Sequence, residues 1–379
     1  MAGAVLPLFV IDPTQWSAPE ASARQWDFLA ETLHFQRTLF AAAGAPLVVR
    51  LGEGAEVLAR LCRRHAIARI YSIDEPGPGL RAAAGAEWVV TGQATAPSDL
   101  VTAPVPALRA VEGVEPGKIP PARALRLAPD RCPHRQSGGD PAPLLAAAQV
   151  AQAAGGSIAA MERAASRLSP HLAWGCVSRQ QMQGPARLRR GLAYRDAALR
   201  CTAPLRATDE ALHPAWVQGQ TGLPFADACL RYLAAGGWLP ARLRALVVSV
   251  GVHHLGACPV ELAQALARQS TDYHPALLAH GVSQALIRPL DPVAIGRKLD
   301  PEGRFTRRWL PELAPVPDAL VQTPWRWQGA RHLLGRRYPE PLVDPASALR
   351  DFSAPPGLRR GAGAPRRARM DPGQLAWAL

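Results

Sequence analysis

Ala165-Ser-Arg-Leu-Ser-Pro-His-Leu-Ala-Trp-Gly175 is the stretch on which the reading of this chain turns. Pro170 stands where a helix opens, because a proline loses nothing at a first helical turn. Ser166 and Ser169 precede it. Their hydroxyls, with the free N–H groups of a helix N-terminus, suit an anion such as a pyrophosphate. Taken alone, the same residues read equally well as an ordinary N-cap.

Three further segments follow it. They are Trp216-x-x-Gly-x-Thr-Gly-Leu-Pro-x-x-Asp227-Ala-x-x-Arg231, then Gly237-Trp238-x-x-x-Arg242-x-Arg244-Ala245, then Leu299-Asp-Pro-x-Gly303 with Arg307-Arg-Trp-Leu-Pro-Glu-Leu313. All lie in a region from Pro143 to about Pro311 that is helical in pattern, with Ala/Leu/Arg segments broken by Gly and Pro. Asp227 and Arg231 stand one helical turn apart, the spacing of a surface ion pair. Trp309 reads as a core aromatic.

The first ninety residues have a different rhythm. Val5–Ile11, Pro46–Leu51, Arg69–Ile73 and Glu87–Val90 are short apolar runs that read as strands. Ala23–Ala43 and Ala55–His65 carry apolar residues at helical spacing. Strand–helix–strand at these lengths predicts a doubly wound parallel sheet, without the Gly-x-Gly-x-x-Gly of a dinucleotide fold. The expected organisation is an α/β domain over 1–95, a proline-rich linker over 96–145, an all-α domain over 146–345, and a basic Pro/Gly/Arg-rich tail over 346–379.

The 379 residues carry 43 Lys+Arg against 30 Asp+Glu, a net charge of +13. Only Lys118 and Lys298 are lysines; the other 41 basic residues are arginines. With so much Ala, Gly and Pro, part of that arginine reflects GC-rich codons. The remaining field still attracts polyanions. The six cysteines form no Cys-x-x-Cys pair, so no zinc or iron–sulfur site is expected, and free thiols are. No apolar run approaches the roughly 18 residues of a membrane span. The N-terminus lacks a basic segment ahead of its apolar stretch, so no secretory signal is expected and the cytoplasm is the expected location.

In their order and spacing, the four segments resemble the flavin-binding domain of the photolyase/cryptochrome family, strongly over about 160–345. The resemblance extends weakly over the N-terminal α/β domain, which in the family is the antenna-chromophore domain. It implies FAD as cofactor, held by Ser166, Leu168, Ser169, Arg195, Arg242, Arg244 and Asp272. Arg244 and Asp272 match the Arg–Asp pair that lies against the flavin ring. It also implies damaged DNA as partner, met by Tyr194, Arg195 and Trp238, and a second antenna chromophore of unknown kind. Protein partners are not implied.

The departures are as informative. The family's Asn before the first arginine is Ala241. Positions after Asp272 have become His274 and Leu278, and a Trp-Gln-Trp segment is replaced by Gly281-Val-Ser-Gln284. Asn-Pro becomes Asp291-Pro292. The lesion-gripping Glu and Trp fall on Gly191 and Tyr194. The tryptophan chain that photoreduces the flavin has no obvious members, and the family's first strand is missing before Val5. Asp196 and Glu210 are the carboxylates available to replace the lost Glu. The sequence thus implies light-driven repair of pyrimidine dimers, an enzyme of the lyase type with activity reduced or lost. The alternative is a non-enzymatic light sensor or a flavin-less DNA- or partner-binding relic.

Overall fold

A computed structural model describes residues 3–72, 77–90, 107–150, 156–177, 182, 186–200, 205 and 211–351. Cys201, Glu210 and the tail arginines at 359–369 lie outside them. The chain forms two compact units. One comprises 1–130, 136–143 and 174–182; the other comprises 131–135, 144–173 and 183–379. The units therefore do not follow the boundaries expected from sequence, because the chain passes repeatedly from one to the other.

In the first unit, β1 (Leu8–Ile11) pairs in parallel with β2 (Val48–Leu51), Leu8 opposite Val48. β3 (Arg69–Ser72) pairs in parallel with β4 (Glu87–Val90). These are the four strands expected, in two two-stranded sheets. Parallel pairing needs a crossover, and the helices Ala23–Ala42 and Pro78–Ala84 supply it. Trp26, Leu29 and Leu33 share one face of the first helix and are buried with Ile11, Leu47 and Val49. Trp16 packs edge-on to Trp26 at 4.8 Å and stacks on Trp174 at 5.9 Å.

The stretch expected to be a surface linker is instead tied to this unit in its described part. Arg109 O accepts from Val5 N, Pro116 O from Val49 N, and Pro120 O from the Trp26 indole. Asp130 takes the buried Arg24 guanidinium at 2.5 Å. Prolines remove donors but leave carbonyls, and the carbonyls are what this stretch uses.

The second unit is helical, as expected. Pro224–Gly236, Ala241–Ser249 and Pro259–Gln269 carry much of its core, which includes Trp216, Phe225, Leu233, Leu243, Leu246, Leu262 and Leu266. Helix Ala241–Ser249 runs on into a π-helical turn, Val250–His254. Helix Arg304–Trp309 starts on Asp300, whose carboxylate accepts from Phe305 N and Thr306 N at 3.1 and 2.8 Å. That cap explains the Leu-Asp-Pro-x-Gly segment: a buried acceptor satisfies first-turn donors.

The expected Asp227–Arg231 pair does not form. Asp227 is buried and accepts from Thr221 N, Thr221 Oγ1, Gly222 N and Tyr338 OH, the last at 2.5 Å. Arg231 turns to Glu312 at 2.8 Å. The turn before the helix, with Tyr338 and Glu312 from far along the chain, displaces the neighbour one turn away. Trp309 is a partly buried aromatic against the core, 5.3 Å from Tyr232.

Candidate functional site

A cleft in the helical unit encloses about 920 Å³, its open mouth included. Three helices each turn one face to it. Gly191, Tyr194 and Arg195 come from Ala186–Leu199; Ala241, Arg244, Ala245 and Val248 from Ala241–Ser249; Leu277, Leu278, Gly281 and Val282 from Pro275–Ala285. The spacings of three and four are those of one helical face. Ser169, which begins the short helix Ser169–Ala173, and Leu239, Ser270, Asp272, Tyr273 and His274 complete the wall.

The polar end is built around Asp272, only 8% exposed. Arg244 Nη2 donates to both its carboxylate oxygens at 3.0 Å. The same Nη2 reaches Leu239 O at 3.3 Å. Burial pushes the Arg195 guanidinium pKa down, while Asp272 and Asp196 pull it back up. Two guanidiniums therefore share this neighbourhood with the buried Asp272 carboxylate and with Asp196. Leu239, Ala245, Val248, Leu277, Leu278 and Val282 give the cleft an apolar lining.

Of the cofactor residues expected from sequence, Ser169, Arg195, Arg244 and Asp272 line this cleft. Ser166, Leu168 and Arg242 do not. Ser166 Oγ is occupied by Leu168 N at 3.3 Å, and the Leu168 side chain is fully buried. Arg242 follows Ala241 by one residue, and one residue turns a helix by about 100°, so it leaves the face that Ala241 and Arg244 share. Tyr194 lines the cleft with its ring 5.5 Å from that of His280. Trp238, expected to meet DNA, is corrected: it is 2% exposed, its indole donates to Ser169 Oγ at 2.9 Å, and the Arg167 guanidinium covers its ring at 4.1 Å. No face remains for a base. Ser270, Tyr273, Leu277 and Val248 were not singled out from sequence. For Val248 and Leu277 the signal was present as helical phase with Ala241 and Gly281.

Six of the departures noted in sequence meet here: Gly191, Tyr194, Ala241, His274, Leu278 and Gly281 line the cleft. Gln284 and Asp291 are not part of its lining.

The comparisons with known proteins agree with this architecture. Residues 169–354 match the family described as the FAD binding domain of DNA photolyase, and residues 1–87 match the DNA photolyase family. The deoxyribodipyrimidine photo-lyase of Streptomyces griseus is 31% identical over 230 residues, covering 52% of this chain and 50% of that protein. Cryptochrome-1 of Aedes aegypti is 33% identical over 158 residues, 36% of this chain and 28% of that protein. The chain thus spans half or less of the length of these curated relatives. Among solved structures, a class III photolyase from Agrobacterium tumefaciens superposes with a TM-score of 0.74 at 20% identity, covering 92% of this chain and 90% of that one. An archaeal photolyase from Sulfolobus tokodaii, solved with two FAD molecules, gives 0.71 at 19% identity, covering 93% and 94%. The fold and the site define a flavin-domain protein of two units, α/β and helical. The chain belongs to the photolyase/cryptochrome family.

The residues present fit FAD. The cleft combines the charged groups of Arg195, Arg244 and Asp272 with an apolar lining, the mixture a phosphate-bearing ring system requires. Arg244 Nε is buried without a hydrogen-bond partner among the described residues, and a buried donor left alone is costly unless a ligand takes it.

Proposed function

We propose that this chain is a photolyase-type flavoprotein that holds FAD in the helical cleft, binds damaged DNA, and repairs pyrimidine dimers with low efficiency. The observation that carries the reading is the convergence of the departures on a cleft whose Arg244–Asp272 pair is intact. The cofactor-holding end is kept and the remaining walls are altered. When bound, the flavin supplies the light-driven electron transfer. The chain's own residues hold and orient. Arg244, fixed on Asp272, adds its charge to the site; Ser169 offers its hydroxyl; Arg195 adds positive charge; the apolar walls exclude water. An extruded dimer would find the Tyr194 ring for stacking but no carboxylate at Gly191 and no amide at Ala241.

A light sensor without repair is the second reading, favoured by the same Gly191 and Ala241. Two measurements separate the possibilities. Flavin bands in the visible spectrum of the purified protein support cofactor retention; a colourless protein supports the relic. Illuminating the FAD-loaded, chemically prereduced protein with a thymine-dimer oligonucleotide then isolates the dimer site. Slow repair is expected. None favours the sensor, and repair at the rate of an ordinary photolyase overturns the weight placed on Gly191 and Ala241.

A further inference from the structure

The turn Gly237–Leu239 touches several parts of the cleft wall at once. Gly237 O accepts from Thr271 N and Thr271 Oγ1 at 2.8 and 2.9 Å, just before Asp272. Leu239 O accepts from Arg244. Between them, the Trp238 indole donates to Ser169 Oγ at 2.9 Å. Gly237 has φ +67, and a Cβ there would press on Thr271 Cγ2 at 2.8 Å. The tryptophan is itself held. Arg167, in the left-handed region at φ 56, lays its guanidinium over the ring and donates to Tyr232 OH at 2.9 Å. A non-glycine residue at such a φ is retained where its surroundings over-determine it.

We propose that Trp238 is a positioning residue that makes Ser169 a hydrogen-bond donor toward a phosphate in the cleft. A serine hydroxyl has one proton to give and two lone pairs. An indole N–H can only donate. With one lone pair of Ser169 Oγ occupied by that N–H, the hydroxyl proton must rotate away from Trp238, and Ser169 lines the cleft. The hydroxyl then arrives pre-oriented for an anionic oxygen, with its rotational freedom already restricted. Arg167 acts one step further out by holding the indole plane.

The proposal rests on the reading that the cleft takes FAD. The probes are FAD, which carries a pyrophosphate, and riboflavin, which carries none. Both are titrated into the flavin-free full chain and into Trp238→Phe, which keeps most of the ring and removes the N–H. FAD should bind roughly tenfold more weakly to the variant, the scale of one charge-assisted hydrogen bond, while riboflavin binds as before. A merely structural role would weaken both flavins together. Ser169→Ala should reproduce the FAD-selective loss, Ser169→Thr should restore it, and Trp238→Phe should add nothing in the Ser169→Ala background. Equal FAD affinity in Trp238→Phe and wild type overturns the proposal alone; a wild-type chain that binds neither flavin overturns the reading of the cleft and the proposal with it. Should Trp238→Phe fail to fold, the ¹⁵N-indole spectrum of the full chain decides. Ser169→Ala should move the Trp238 N–H resonance, and FAD should move that same signal further than riboflavin does. An indole signal indifferent to Ser169→Ala overturns the link.

Discussion

Asp227 carries the plainest consequence at the scale of one residue. Burial raises its carboxyl pKa to about 6, against hydrogen bonds from Tyr338, Thr221 and Gly222 that lower it. The folded pKa thus lies above the unfolded value of 3.8. Between them the native state holds a proton that the unfolded chain has lost, so this group's contribution falls as pH rises from about 4 to about 6. The full change is on the order of 3 kcal/mol. Asp227→Asn cannot ionise, so its stability relative to wild type should improve across that window in denaturant melts at stepped pH. Asp272 is held by a cation instead, Arg244 at 3.0 Å. Asp272→Ala leaves Arg244 and Arg195 together without their carboxylate, a loss of about 3–5 kcal/mol for a broken buried pair. The variant should lose bound flavin or unfold; full flavin occupancy at wild-type stability would remove Asp272 from the site.

Helix ends and helix crossings set the next scale. Asp300→Ala removes the acceptor for two first-turn donors of Arg304–Trp309 and should cost about 1–2 kcal/mol, with Asp300→Asn milder. Thermal melts check both. Gly222 opens the turn into Pro224–Gly236 with φ +79, and an added Cβ would meet the Glu340 carbonyl and Pro341. Gly222→Ala should therefore cost at least about 2 kcal/mol, since strain and clash coincide. The cleft depends on three such elements keeping phase. Ala241, Arg244 and Val248 face inward only while their helix stays in register, and for that reason Arg242 points elsewhere.

Across the whole molecule, a net charge of +13 predicts that DNA affinity falls steeply and linearly in log–log terms as salt rises; an affinity indifferent to salt would exclude phosphate contacts as its source. The sheet strands and long helices were legible because apolar periodicity is a local signal. So were Arg244 and Asp272, because segment order identified them. Trp238 and Asp227 were misread, since each is governed by a partner that spacing does not encode: Ser169 for the first, Tyr338 for the second. The stretch 107–130 was misread because prolines conceal how many carbonyls remain to be bonded. The threading of the chain has one more consequence, for anyone cloning fragments. No single cut releases either unit whole. A clone beginning at residue 146 would carry Trp174 away from the Trp16 ring on which it stacks, leaving a sticky aromatic face in water. Such a fragment should come out of expression insoluble, whereas the intact chain should not.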